Sequence, residues 1–94
     1  MPTSKYLDLA GVLNQLAGTT ATPLDPCGAA NVWAGLPRDN GLDLLGALNY
    51  KNGTWANSEH RLEFNTVCNE LAGLSGNRVL EGVAALNYIL GNAS

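Results

Sequence analysis

The sequence predicts an all-α domain, a compact array of five short helices built from five tandem repeats of about 18 residues. The first observation is a recurring skeleton of a leucine, an acid directly after it, an asparagine seven residues after the leucine and a glycine eleven after it. The five units begin at Leu7, Leu24, Leu42, Leu62 and Leu80. The second observation is that apolar residues recur at helical spacing inside the units. The third is that each unit ends in a glycine, a residue that commonly closes helices. Residues 1–94 are therefore predicted to form a single helical-repeat domain.

The acid and the glycine of each unit mark the two ends of a predicted helix. Asp25 stands directly before Pro26, the preferred order for an N-cap and a first helical residue, so the second helix is predicted over about Pro26 to Ala34. The five acids are Asp8, Asp25, Asp43, Glu63 and Glu81. The five closing glycines are Gly18, Gly35, Gly53, Gly73 and Gly91.

Three helices have a candidate N-cap further upstream. Thr3 or Ser4 is the candidate for the first helix. Because glutamate is a poor N-cap, Ser58 and Asn77 could start longer fourth and fifth helices that contain the acid of their unit.

Two further columns of the repeat describe how the helices pack. The residue six after the leucine is apolar in every unit, and with the apolar residue three further on in four of the units it is predicted to form the main core stripe: Leu13, Ala30, Leu48, Cys68 and Leu86, with Leu16, Trp33, Leu71 and Ile89. The residue four after the leucine is small: Gly11, Gly28, Gly46, Thr66 and Ala84. Since a glycine inside a helix costs about 1 kcal/mol relative to alanine, we expect a neighbouring helix or loop to approach this face closely.

The repeated asparagine is an unfavourable residue inside a helix, because its amide competes for backbone hydrogen bonds. The column consists of Asn14, Asn31, Asn49, Asn69 and Asn87. In the structural interpretation, each amide bonds the loop backbone of an adjacent unit. In the alternative, the amides form an exposed row that binds an extended ligand such as a peptide or a glycan. A metal site is less favoured, because neutral amides are weak ligands and the acids stand six positions away.

Composition and charge narrow the classes of partner. Charged residues make up 14% of the chain and the net charge is −3, without a cluster of Lys or Arg, which argues against a nucleic-acid partner. The N-terminal segment lacks the apolar run of a signal peptide or a membrane span, so we expect synthesis in the cytoplasm and no membrane partner. Cys27 and Cys68 occupy different positions of their units, which favours small buried thiols over a metal or disulfide site. No cofactor is expected.

The remaining candidates for function lie in the connections. His60 is the only histidine and has no repeated Ser, Cys or carboxylate partner, so the sequence predicts a protein that is not an enzyme. Trp55, in the longest connection, is either a lid over the core or an anchor in a partner's pocket. The loop from Leu36 to Asn40 is the second candidate contact, through Leu36, Arg38 and Asp39.

Four segments carry a family resemblance: Leu13 to Thr19, Ala29 to Gly35, Gly46 to Asn49 and Val67 to Gly73. In these segments the array resembles small helical-repeat proteins encoded among the virion structural genes of tailed bacteriophages that infect actinobacteria. The third unit departs from the pattern, with Lys51-Asn52 where other copies have an apolar residue followed by Ala or Leu.

The resemblance implies a minor capsid, decoration or other assembly protein, located in the virion and assembled in the host cytoplasm. It implies no catalytic residues. We therefore expect binding through a neutral, partly apolar surface to copies of the same chain, to the major capsid protein or to another virion protein. The alternative is a monomeric adaptor or inhibitor that binds a host or phage protein through one helix face.

Overall fold

The computed structural model describes residues 6–39 and 41–92, which contain five α-helices, two 3-10 turns and no strand. The helices are α1 (Leu9–Ala17), α2 (Pro26–Trp33), α3 (Leu44–Asn52), α4 (Phe64–Ala72) and α5 (Gly82–Ile89). The prediction of an all-α fold with five short helices is confirmed. The predicted start of the first helix is wrong, because Asp8 is the N-cap of α1; Thr3 and Ser4 lie outside the described residues.

Aspartate side chains cap the first three helices. Each accepts a hydrogen bond from the backbone N–H three residues on: Gly11 to Asp8 (2.8 Å), Gly28 to Asp25 (2.8 Å) and Gly46 to Asp43 (2.7 Å). A Cβ atom on these glycines would lie 2.7–3.0 Å from the same carboxylate oxygen. The glycines therefore make room chiefly for the cap of their own helix, which corrects the expectation that a neighbouring unit approaches them.

The fourth and fifth helices are shorter than predicted and begin without a cap from their own acid. Glu63 and Glu81 stand directly before α4 and α5 with extended backbone and make no side-chain cap hydrogen bond. Ser58 and Asn77 lie instead in separate 3-10 turns, Ser58–His60 and Gly76–Arg78. The extended glutamates separate these turns from the helices, so the predicted longer helices are wrong.

A comparison of two acids tests the capping. We expect Asp25→Ala to lower the free energy of unfolding by about 1 kcal/mol or more, because the hydrogen bond from the Gly28 N–H is lost. Glu63→Ala is the control and should cost no more than about 0.5 kcal/mol, because only an exposed charge near the helix dipole is removed. Urea unfolding followed by circular dichroism measures both. Equal losses would contradict this account of the caps.

The five closing glycines have the conformation that a glycine takes most easily. Their φ angles lie between 76° and 85°, a left-handed conformation that other residues adopt at a cost. In each unit the N–H of the residue after the glycine donates to the backbone carbonyl of the repeated asparagine, at 2.7–2.9 Å. The asparagine backbone therefore helps to close the helix, and the side-chain amide remains available for other hydrogen bonds.

The helices form a closed ring. Each helix packs on the helices of the preceding and the following unit, and α5 packs on α1. The ring measures 44 × 36 × 14 Å along its principal axes. The five predicted core residues six positions after the opening leucines are fully buried, and with the residues directly before them and Leu74 they form one cluster. The other predicted core residues, Leu16, Trp33, Leu71 and Ile89, are only partly buried and pack against this cluster. None of the described helices is both long and apolar enough to cross a membrane.

Candidate functional site

The repeated asparagines join each unit to the next through a pair of hydrogen bonds. In every junction the backbone N–H of the leucine that opens the following unit donates to the asparagine Oδ1, and the asparagine Nδ2 donates to the carbonyl of the same leucine. The N–H to Oδ1 distances are 2.7–2.9 Å and the Nδ2 to carbonyl distances are 2.7–3.0 Å. The pairs are Asn14–Leu24, Asn31–Leu42, Asn49–Leu62, Asn69–Leu80 and Asn87–Leu7.

Each asparagine amide makes a third hydrogen bond within its own helix. The Nδ2 group donates to the carbonyl four residues earlier, at 2.7–3.0 Å in all five units. In the first and third units a threonine hydroxyl, that of Thr19 or Thr54, also donates to the asparagine Oδ1 at 2.6 Å. Both amide protons and the carbonyl oxygen are therefore used inside the protein, and no buried side-chain N or O atom of the described residues lacks a partner.

The last junction closes the ring. The amide of Asn87, in the fifth unit, pairs with Leu7 of the first unit, 80 residues earlier in the chain, at 2.9 and 3.0 Å. The chemistry of this junction is the same as that of the four junctions between consecutive units. We call the contact between α5 and α1, with its Asn87–Leu7 pair, the seam.

Burial decides between the two interpretations of the asparagine column. The five side chains are only 0–5% exposed. An exposed row of amides that binds an extended ligand is therefore not formed, and the arrangement is the one in which each amide bonds the backbone of an adjacent unit.

Removal of one amide measures what a junction contributes. We expect Asn69→Ala to lower the free energy of unfolding by about 1–3 kcal/mol, because the backbone N–H and carbonyl of Leu80 lose their partners. Asn77→Ala is the control, since Asn77 is an exposed residue of a 3-10 turn. Chemical unfolding of both variants gives the comparison, and a loss at Asn69 no larger than that at Asn77 would contradict the role of the junction.

Trp55 packs back onto its own part of the chain. The guanidinium of Arg61 lies 4.6 Å from the centre of its ring, and Arg61 Nε donates to the Trp55 carbonyl at 2.6 Å. The ring of Tyr50 lies 6.2 Å away, and the indole nitrogen is near Gly46. The side chain is half-buried, so the structure gives it a packing role and leaves part of the ring accessible.

The second candidate contact lies between α2 and α3. Leu36 is half-buried, and its N–H donates to the Asn31 carbonyl at 2.7 Å. Arg38 and Asp39 are exposed and form an ion pair at 3.4 Å. Asn40, the last residue of this predicted contact, lies outside the described residues. The two charged side chains border a polar cleft of about 420 Å³ with residues 23–25 and Gly28.

His60 and the two cysteines are the remaining side chains that the sequence singles out for possible chemistry. His60 is exposed in the 3-10 turn before α4. Within residues 6–39 and 41–92, no group of three or more His, Cys, Asp or Glu side chains is placed to hold a metal ion. The two cysteines are free thiols, and the Sγ of Cys27 donates to the Leu42 carbonyl at 3.2 Å.

Burial raises the pKa of the Cys68 thiol from 9.0 to about 12. We therefore expect the folded Cys27→Ser variant to resist thiolate-specific alkylation at pH 8 and to react once unfolded, as measured by mass spectrometry. The unfolded thiol ionises near pH 9 while the folded one stays protonated, so this contribution to stability is present below pH 9 and is lost as the pH rises toward 12. Rapid labelling of the folded variant would contradict a raised pKa at Cys68. The Cys68→Ala variant should lose less stability than the original chain as the pH rises from 9 toward 12.

An apolar edge near α5 was not found by sequence reasoning. Val79 is 53% exposed, Leu80 37% and Tyr88 39%, and the Arg78 guanidinium donates to the Tyr88 hydroxyl at 3.3 Å. Val79 and Leu80 also border a cleft of about 440 Å³ that extends along α4 to Asn65. The turn at Gly76 was the available signal, because it places Val79 and Leu80 in extended chain outside a helix. We call Val79, Leu80 and Tyr88 the apolar edge.

Comparison with known proteins adds no relative: no family model matches the chain, and no curated protein or solved structure shows significant similarity to it.

Proposed function

We propose that this chain is a non-enzymatic structural or assembly protein that binds and stabilises a larger protein assembly, as a minor capsid or decoration protein of a bacteriophage virion does. The buried asparagines support a scaffold role, because the most regular polar groups of the chain are used to hold its own units together. A protein that adds contacts to an assembled state stabilises that state by mass action.

The observation that carries the proposal is the apolar edge. Val79, Leu80 and Tyr88 are exposed, and the first two border an open cleft, on a chain in which only 14% of the residues are charged. Exposed apolar groups that lie together are typical of protein-binding surfaces. A standard interface takes about 800 Å² from each partner, and the whole chain has an accessible surface of 5497 Å². One such interface would therefore cover only part of the chain's surface, and we place it at the edge, with Trp55 and the Leu36 to Asp39 segment as further contacts.

The proposal is tested with purified virions of a phage that encodes the chain. The chain should be detected in these particles by mass spectrometry, and added chain should co-sediment with particles that lack it. The double variant Val79→Ser, Leu80→Ser should bind at least about tenfold more weakly, a loss typical of a central apolar contact. Leu45→Ser is the matched control, because Leu45 is exposed on α3. Absence from the particles together with no co-sedimentation would contradict the proposal.

A monomeric adaptor or inhibitor is the second candidate. Leu45 and Tyr50 are both exposed on α3 and could present that helix to a host or phage protein. Two experiments together separate the candidates: light scattering, which gives the mass of the chain from low to high micromolar concentration, and the particle experiment. A monomer throughout, with no binding to particles, would favour the adaptor.

A further inference from the structure

The seam differs from the other four junctions in one respect. Consecutive units are joined both by an asparagine–leucine pair and by a covalent connection, whereas α5 and α1 are joined by non-covalent contacts alone. If an internal junction separates, its connection keeps the two units close and they re-form at once. When the seam separates, nothing but the rest of the ring holds its two sides near each other.

The two sides of the seam are complementary to each other. One side presents the Asn87 amide, and the other presents the backbone N–H and carbonyl of Leu7. The same pairing occurs four more times between different units of this chain, with different flanking residues each time. On the leucine side the pairing uses only backbone atoms, so it forms with different flanking side chains.

From this geometry we infer that the seam is a latch, which opens before the other junctions and then pairs with the complementary side of a second copy of the chain. Asn87 of one copy binds Leu7 of the next in the geometry that it has within the ring. The contact is head-to-tail, so it generates closed dimers, larger rings or open chains according to the angle between copies. The inference rests on the proposed assembly function and names the partner as the chain itself.

Concentration determines which form is present. Closure within one ring competes with closure between copies, and the two ends of one chain face each other at an effective concentration of about millimolar or above. Isolated copies should therefore be closed rings at micromolar concentration. Copies that are crowded at millimolar levels, in solution or on the surface of a larger assembly, should exchange their first units.

Hydrogen exchange tests the latch directly, because the chain provides five equivalent protons. The Leu7 N–H is bonded to Asn87, and the corresponding N–H groups of Leu24, Leu42, Leu62 and Leu80 are bonded to the other asparagines. We expect the Leu7 proton to exchange at least about tenfold faster than these four, by NMR at micromolar concentration. Equal protection of all five protons would overturn the latch.

A second pair of protons separates opening of the seam from fraying of the chain end. The Val12 N–H donates to the Asp8 carbonyl inside α1, and the Ala47 N–H makes the same bond to Asp43 in α3. Both residues are fully buried. Opening of the seam exposes α1, so Val12 should exchange faster than Ala47. If Leu7 exchanges fast while Val12 is as protected as Ala47, the end of the chain frays and the latch is overturned.

A chain whose two ends are joined covalently tests the partner. We expect the linear chain to be monomeric at micromolar concentration and to form linked copies near millimolar concentration, by light scattering and native mass spectrometry. The joined chain, with an intact ring, should stay monomeric over the same range. The proposed exchange of first units between copies would be overturned if the joined chain associates to the same extent. It would also be overturned if the linear chain is monomeric at millimolar concentration. Neither measurement involves virions, so failure of the latch is distinguishable from failure of the proposed function.

Discussion

Replacement of Asn31 by aspartate should lower the free energy of unfolding by about 3–5 kcal/mol, as expected when a buried charge is left without a partner. Asn31 is completely buried, and its Nδ2 donates to the carbonyls of Leu42 and Cys27 at 2.7 and 2.8 Å. A carboxylate has no proton to donate, so it would place a negative charge against two carbonyl oxygens. The loss is large against the roughly 5–14 kcal/mol expected for a domain of this size.

The pH dependence of this variant gives a further measurement. Burial and the two carbonyls favour the protonated acid, which can donate one of the lost hydrogen bonds. Stability should therefore partly return as the pH falls from 7 to about 4, because the pKa of the buried acid lies above the value of about 3.9 that aspartate has in the unfolded chain. Urea unfolding at both pH values measures this. Asn77→Asp makes the same chemical change in an exposed 3-10 turn and should cost little. A loss at Asn31 no larger than at Asn77 would contradict the proposed importance of the junction.

The helices could be predicted from sequence because their signals are local. Asp25-Pro26 gave the start of α2, and the closing glycines gave the C-terminal ends, since a cap and a left-handed glycine depend on neighbours in the chain. The starts of α4 and α5 were predicted wrongly for a related reason. Glutamate makes no cap there, and at α5 the N–H of Gly82 bonds instead to Asn65 Oδ1 of α4 at 2.7 Å. That substitute comes from another unit, and the local sequence does not show it.

Closure of the ring had a sequence signal, although it did not enter the prediction. Within the five units, the fifth has the repeated asparagine and the first has the opening leucine, so pairing of consecutive units accounts for neither Asn87 nor Leu7. A buried amide needs hydrogen-bond partners, and Asn87 finds them in the backbone of Leu7 when the ring closes. The apolar edge was harder to predict from the sequence, because the exposure of Leu80 depends on how α4 and α5 pack. In the other four units the opening leucine is half-buried.

Replacement of Leu48 by alanine should lower the free energy of unfolding by about 2–5 kcal/mol, the usual range for a buried leucine. Leu48 is among the largest fully buried side chains of the chain. At the same position of the neighbouring units the residues are Ala30 and Cys68, so smaller side chains flank Leu48 along the ring. These neighbours are too short to fill the space that Leu48 leaves, and their helices are held by the asparagine junctions on both sides. The cavity should therefore persist, which places the expected loss in the upper part of the range.

Leu45→Ala is the matched control for this prediction, because it removes the same atoms from the same helix at a position that is 39% exposed. It should cost less than about 1 kcal/mol, since part of that side chain is already in contact with water. Thermal and urea unfolding of the two variants measure the difference. Similar losses would mean that the ring adjusts around the missing side chain, and the asparagine junctions would then be less rigid than their hydrogen bonds indicate. A large loss at Leu48 alone would show that the core does not collapse into the cavity, as expected if the junctions hold the helices at fixed spacing.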